Sequence, residues 1–302
     1  MFTSLLIFMA SFFALIYSTE FFVKGIEGLR AKYGISLAVS GASIAAIGSS
    51  MPEFASSLFS VFEKHPKIGI ATIVGSAIFN ITIIVGVSVI IKKTKVSKEV
   101  VNRDGLFYLI AILLLSIFSI DGKITRYEMI IFVVAYIFYA LFLIKHKREK
   151  AKNIDLKKTL IYVITSLLVI FISANFLIKE TVEITSMLGL SEAVFSLIVI
   201  AIGTSLPDLF TSIHAARLGY GDMAISNAIG SNTFDILIGI GLPYSLTKSV
   251  EVAGVLDFSL LFLFISYIIT FLILYFRQNM GKFEGMLLIS IYAIFLIFIL
   301  MG

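Results

Sequence analysis

Long apolar runs, cut by short charged stretches, dominate the pattern of this chain. Ten runs read as helices, at about 2–24, 35–62, 68–91, 104–121, 127–145, 159–180, 190–217, 222–247, 254–276 and 282–301. Most reach the roughly 20 residues that crossing a bilayer requires. The one long polar stretch, KHKREKAKNIDLKK from Lys145 to Lys158, is too charged to enter lipid. It divides the chain into halves of five helices each, 1–145 and 159–302, with 146–158 as a linker. The expected fold class is therefore an all-α membrane protein.

Composition agrees with that pattern and narrows the chemistry. Of the 302 residues, 59% are hydrophobic and 14% charged, with a mean hydropathy of +1.05. A soluble domain is nearer half apolar and a quarter charged. With no cysteine, disulfides, thiolate metal sites and cysteine nucleophiles are excluded. His65, His146 and His214 are too scattered for a histidine-built metal centre. The net charge of +5 belongs to topology rather than to nucleic acid. If both termini lie outside, 18 of the 24 Lys and Arg residues fall on inside segments and 6 outside. The positive-inside rule thus favours external termini and a cytoplasmic linker. An odd number of spans per half then inserts the second half upside down relative to the first.

The halves also match in sequence at one constant offset of 155 residues, without a gap. Gly48-Ser-Ser-Met-Pro-Glu53 falls on Gly203-Thr-Ser-Leu-Pro-Asp208, and Gly75-Ser-Ala-Ile-Phe-Asn80 on Gly230-Ser-Asn-Thr-Phe-Asp235. Ser36 falls on Ser191, Lys24 on Lys179 and Phe21 on Phe176. Inverted repeats of this kind mark secondary transporters, whose sites lie where the repeats meet.

Glu53, Asp208 and Asp235 lie inside otherwise apolar helices. A carboxylate at the bilayer centre costs about 2.5–3.5 kcal/mol, so three amount to roughly 8–10 kcal/mol. No Lys or Arg is expected at their depth, although Arg217 approaches the end of its helix, so a mobile cation is the expected partner. Ser49 and Glu53 are four apart, as are Thr204 and Asp208, Ser76 and Asn80, and Ser231 and Asp235. That spacing shares a helix face. Hard oxygens suit calcium and similar cations, with sodium using the same donors at lower charge. Pro52 and Pro207 break their helices by removing the N–H owed to Gly48 and Gly203. The expectation is that carbonyls over Ala46–Ser49 and Ala201–Thr204 lose their helical partners and line a cavity. Gly75 and Gly230 read as close-packing positions. Glu20, matched by Asn175, and His214 read as helix-end residues that could also line an ion path.

These motifs resemble the two alpha repeats of the cation/calcium exchanger superfamily, carried here by GSSMPE with VGSAIFN and GTSLPD with NAIGSNTFD. The repeats cover about 36–90 and 191–245. The resemblance implies ten helices in two inverted repeats, with helices 2 and 7 broken at Pro52 and Pro207. It implies Glu53 and Asp208 as central calcium ligands shared with sodium. Ser49, Ser50, Ser76, Thr204, Ser205 and Ser231 would line sodium sites, with carbonyls from Ala46 and Ala201, and Asn80 and Asp235 completing the site. GTSLPDLFTS and GDMAISNAIGSNTFDILIGIGLP look most like potassium-dependent sodium/calcium exchangers, which ties Asp235 to potassium use.

The expected function is exchange of Na⁺ for Ca²⁺ by alternating access, with K⁺ co-transport as an added feature. It implies no enzyme activity, no bound cofactor and no nucleic-acid partner. The partners are the lipid bilayer and the transported ions, in the plasma membrane of a prokaryote, with a monomer as a plausible unit. The alternative is a proton-coupled Ca²⁺ antiporter of the same fold, with Asp235 carrying the proton. A remote alternative is an intramembrane aspartyl protease, because Gly219-Tyr-Gly-Asp222 fits a GxGD pattern.

Overall fold

A computed structural model describes residues 2–33, 41–144, 154–254, 256–277 and 279–301 of the chain. Helices dominate it, as apolar runs without interior prolines require. Among the described residues, eight are long and apolar enough to cross a membrane. They are Phe2–Tyr33, Pro66–Ile91, Lys98–Phe118, Arg126–Leu143, Leu156–Leu188, Glu192–Leu218, Phe258–Phe276 and Lys282–Met301. The second and eighth expected spans are not among them. Part of the second, 35–40, lies outside the described residues, as do Ser36 and most of the linker, 146–153. The eighth carries Asn227, Asn232 and Asp235, which dilute its apolar character.

Several helices differ in length from the sequence expectation. The first helix (α1, Phe2–Tyr33) runs on through Lys24 and Arg30 for 32 residues, about 48 Å at 1.5 Å per residue. Leu156–Leu188 is one residue longer and starts inside the expected linker, with Asp155 as its N-cap, accepting from Lys158 N–H at 3.2 Å. These two helices lie side by side and antiparallel. Ser4 donates to Glu183 at one end (2.9 Å), and Gly25 and Gly28 meet Val163 and Thr159 at the other.

The segments that carry the repeated motifs are interrupted helices. The order is a π-turn at Gly41–Ala45, a short helix (α2, Ala46–Ser49), then α3 (Met51–Phe62) and α4 (Pro66–Phe79). A second π-turn, Asn80–Ile84, leads into α5 (Val85–Ile91). Shifting these bounds by 155 residues reproduces the later order of a π-turn at Ser196–Ile200, then Ala201–Thr204, Leu206–Leu218, Gly221–Phe234 and a π-turn at Asp235–Ile240. Two tiny antiparallel sheets close the ends, Thr94–Lys95 with Asn279–Met280 and Lys123–Thr125 with Ser249–Glu251.

Apolar side chains face outward along the spans, with Phe276 74%, Leu300 72% and Ile297 56% exposed. Serines, threonines, asparagines and acids of the motif segments are buried instead. That inversion of the soluble pattern is what lipid as a solvent selects. Gly75 and Gly230 let the interrupted helices approach each other. A Cβ on Gly75 would strike the Leu197 carbonyl and come within 2.7 Å of Ala201 Cβ. One on Gly230 would sit 2.7 Å from Ala42 Cα. Each broken segment therefore packs against the glycine of the other half.

Candidate cation site

The two proline-marked breaks fall at Ser50 and Ser205, one residue before Met51 and Leu206 open the next helices. Ser50 N–H still bonds to the Ala46 carbonyl (3.0 Å), and Ser205 N–H to that of Ala201 (3.1 Å). The ladder resumes with Phe54 N–H on Ser50 (3.1 Å) and Leu209 N–H on Ser205 (3.0 Å). The expectation that Ala46 and Ala201 lose their helical partners is thus corrected. Proline deletes the bond to the carbonyl four residues back, which here means Gly48 and Gly203. The Ala46 and Ala201 carbonyls also lie within 3.4 Å of the Ser49 hydroxyl and 3.3 Å of the Thr204 hydroxyl.

The breaks set Glu53 and Asp208 in the first turns of α3 and of Leu206–Leu218. A helix N-terminus stabilises a carboxylate there by about 0.3–1 kcal/mol, more when buried. Both side chains are fully buried, as are Asn80 and Asp235 in the π-turns that follow the neighbouring helices. Four segments, 41–62, 66–84, 196–218 and 221–240, therefore contribute to one interior cluster.

Glu53 Oε1 lies 3.2 Å from the Ser205 hydroxyl and 3.4 Å from that of Ser76, and those two hydroxyls are 2.7 Å apart, so one donates to the carboxylate and the other to its neighbour. Asp208 Oδ1 accepts from Ser231 (2.8 Å) and Asn227 (3.5 Å), and Oδ2 from Asn80 Nδ2 (3.1 Å). Ser49 donates back to the Ala45 carbonyl at 2.8 Å, and Thr204 to that of Ile200 at 3.1 Å. The pairing of each acid with a hydroxyl one turn earlier is therefore corrected. Ser49 and Thr204 spend their protons on their own helices rather than on the acid four residues later. The hydroxyls that reach the acids come from 23 residues later or from the opposite half. Because Ser49 and Thr204 give their protons to carbonyls, their own lone pairs remain available as acceptors.

Five buried oxygens of the predicted site residues have no hydrogen-bond partner among the described residues: Ser50 Oγ, Glu53 Oε2, Asn80 Oδ1 and both oxygens of Asp235. Leaving a buried polar group unpaired costs about 1–3 kcal/mol, and more when it is charged. Among the described residues, no group of three or more His, Cys, Asp or Glu side chains has metal-holding geometry by itself. A cation here needs the hydroxyl, amide and carbonyl oxygens as well as the acids, which is how hard cations complete six to eight contacts.

Sequence reasoning passed over Asn227 and Asn232. Asn232 accepts from Asn80 (2.9 Å) and donates to the Ala77 carbonyl and Tyr108 hydroxyl, both at 2.9 Å. Asn227 also bonds Ser212 at 3.2 Å. The repeat hides them, since their counterparts are Thr72 and Ala77. The signal was three amide or acid side chains within nine residues of one buried helix.

A buried base also exists, contrary to expectation. Arg103 is 9% exposed because its helix begins at Lys98, earlier than the apolar run suggests. It forms a two-pronged ion pair with Asp104 (2.7 and 2.9 Å), and Ser226 adds a third donor to that carboxylate at 2.6 Å. Arg103 is thereby committed away from Glu53, Asp208 and Asp235. Asp222 opens Gly221–Phe234 and accepts from Ser97 N–H at 2.7 Å, an end-capping contact apart from the cluster.

The fold and its cluster define a helical membrane protein with a buried, oxygen-lined centre. The chain belongs to the sodium/calcium exchanger protein family, which matches it over residues 3–145 and 158–301. It is 28% identical over 335 residues to the sodium/calcium exchanger MaX1 of Methanosarcina acetivorans, covering 94% of each chain. It is 38% identical over 131 residues to human sodium/potassium/calcium exchanger 2, covering 41% of this chain and 19% of that one. A solved structure of the sodium-calcium exchanger NCX_Mj, soaked with 2.5 mM Na⁺ and 0.1 mM Sr²⁺, superposes with a TM-score of 0.73. The two are 27% identical, and the match covers 97% of both chains. These relatives are exchangers rather than enzymes.

Proposed function

We propose that this protein is a secondary active antiporter that exchanges Na⁺ for Ca²⁺ by alternating access at the Glu53–Asp208 cluster. The observation that carries the reading is the set of five buried acceptor oxygens with no partner among the described residues. A cation supplies what they lack. Glu53 and Asp208 act as central ligands, with Asn80 and Asp235 between them. Ser49, Ser50, Ser76, Thr204, Ser205 and Ser231, and the carbonyls of Ala46 and Ala201, provide neutral oxygens. An unfilled, charged cluster is unfavourable in low dielectric, so reorientation requires Ca²⁺ or several Na⁺ in place. Obligatory exchange follows from that condition.

The architecture belongs to the same proposal. We read ten spans in two inverted repeats, 1–145 and 159–302, joined by the linker 146–158. The antiparallel pairing of Phe2–Tyr33 with Leu156–Leu188, equivalent at the 155-residue offset, supports inversion. So do the two sheets, because exchanging the halves converts one strand pair into the other. The basic residues favour external termini and a cytoplasmic linker in a prokaryotic plasma membrane. Asp235 is read as the position that adds K⁺ to the cycle, a reading supported by the similarity to the human sodium/potassium/calcium exchanger.

Reconstitution into proteoliposomes tests this. An outward Na⁺ gradient is expected to drive radiocalcium uptake, and K⁺ to stimulate it. A pH gradient that drives the same flux without Na⁺ would instead select the proton-coupled alternative.

A further inference from the structure

Away from the cation cluster, a groove of about 410 Å³ opens between α1 and Leu156–Leu188. Its walls include Tyr17, Ser18 and Phe21 of α1 and Tyr162, Thr165 and Ser166 of the second helix. The lining spans 14–21 on one helix and 162–169 on the other, about 10 Å at 1.5 Å per residue. That is much of one leaflet of a hydrocarbon core about 30 Å thick. Tyr17 is 61% and Phe21 48% exposed, so the groove faces the solvent of the spans, which is lipid.

The floor suits an acyl chain. Ser18 donates to the Leu15 carbonyl (3.0 Å), Thr165 to that of Ile161 (2.6 Å) and Ser166 to that of Tyr162. Hydroxyls that have spent their protons on their own helix leave no unpaired donor against hydrocarbon.

The mouth suits an anion. Phe21 and Tyr162 meet there with ring centroids 6.3 Å apart. Lys24 Nζ lies 5.2 Å from the Phe21 centroid, and Lys158 Nζ 5.9 Å from that of Tyr162. Two ammonium groups are thereby gathered at one aromatic pair, and the ion pairs among the described residues include neither. Asp155 is committed to capping, accepting from the Lys158 backbone N–H. Glu20 and Glu27 line a neighbouring cavity, which Lys24 and His214 share. Lys157 and Lys158 also stand in the first turn of Leu156–Leu188, where the helix dipole disfavours cations and favours an anion.

The other half lacks this mouth. At the 155-residue offset, Tyr17 becomes Ile172, Tyr162 becomes Ile7 and Lys158 becomes Thr3. Lys179, the counterpart of Lys24, is paired with Glu63 at 3.4 Å.

We propose that this groove holds one phospholipid with an anionic headgroup, its phosphate between Lys24 and Lys158 and an acyl chain along Tyr17, Phe21 and Tyr162. Lysines at a membrane surface attract anionic lipid, and here that attraction is joined to a preformed bed for the chain. On the topology proposed above, the lipid belongs to the cytoplasmic leaflet. The binding itself does not depend on what the protein transports.

The chain has no tryptophan, so a single one reports on its own surroundings. Thr165→Trp places it in the groove, and Ala10→Trp at the equivalent position of the other half, which is likewise exposed. Each full-length variant is reconstituted in phosphatidylcholine containing increasing phosphatidylglycerol with brominated acyl chains, which quench an adjacent indole. Thr165→Trp is expected to reach half-maximal quenching at a roughly tenfold lower fraction of this lipid than Ala10→Trp, and than with brominated phosphatidylcholine. Adding Lys24→Gln and Lys158→Gln together is expected to remove the difference. Equal curves at the two positions, equal quenching by both lipids, or a preference that survives loss of both lysines would each overturn the proposal. So would a preference abolished by excess inorganic phosphate at constant ionic strength, which would assign the lysines to a soluble anion. Tyr162→Trp against Ile7→Trp repeats the comparison if Thr165→Trp does not fold. A clear lipid preference in a protein that shows no Na⁺-driven Ca²⁺ flux would remove the exchanger reading and leave the lipid site standing.

Discussion

The two central acids occupy equivalent positions but unequal surroundings. Asp208 receives protein donors on both oxygens, from Ser231, Asn227 and Asn80. Glu53 Oε1 meets the linked pair of Ser76 and Ser205 hydroxyls, while Oε2 has no partner among the described residues. The residues one π-turn away repeat the contrast. Asn80 donates to Asp208 and Asn232, whereas neither oxygen of Asp235 is paired. The protein's own donors largely satisfy one carboxylate and leave oxygens of the other two without a partner among the described residues. On the proposed function, ion selectivity is expected where the repeat departs from symmetry, in Glu against Asp and in Asn against Asp.

Four substitutions probe this comparison. The largest effect is expected from Glu53→Gln, which removes the charge on the unsatisfied side. Initial rates of Na⁺-driven radiocalcium uptake should fall by about 100-fold or more, a loss of roughly 2.7 kcal/mol. Asp235→Asn makes the two π-turn positions identical. It should weaken Ca²⁺ binding by about tenfold, or ~1.4 kcal/mol, and abolish any K⁺ stimulation. Asn80→Ala acts on the satisfied side and strands two acceptors, Asp208 Oδ2 and Asn232 Oδ1. It should lower unfolding stability by about 1–3 kcal/mol, read by thermal denaturation in detergent without Ca²⁺. Asn232→Ala removes the tie to Ala77 and Tyr108 and the acceptor that holds the Asn80 amide, while itself supplying no proposed ion ligand. A stability loss of about 1–2 kcal/mol is expected, with uptake reduced no more than about threefold, or ~0.7 kcal/mol. Uptake falling as far as in Glu53→Gln would place Asn232 among the ligands.

Much of this site was legible in the sequence, because a buried acid in an apolar run is costly and a repeated one is hard to assign to packing. The 155-residue offset singled out Glu53, Asp208, Asn80 and Asp235, and the structure brings all four into one interior cluster. The same criterion concealed what does not repeat. Asn227 and Asn232 were overlooked because Thr72 and Ala77 stand opposite them. Helical spacing also misled at the breaks. Ser49 and Glu53 are four apart, but Ser49 gives its proton to the Ala45 carbonyl, so Glu53 finds its hydroxyls on neighbouring segments. The apolar run at about 104–121 leaves Arg103 just outside it, because hydropathy marks where lipid-compatible sequence begins, not where the helix does. Its bidentate pairing with Asp104 makes burial tolerable.

Equilibrium radiocalcium binding to the purified wild-type protein and to Glu53→Gln tests the central claim most directly. The account predicts one saturable Ca²⁺ site in the wild type, displaced by Na⁺ and lost in Glu53→Gln. Undiminished, Na⁺-sensitive Ca²⁺ binding by Glu53→Gln would contradict it.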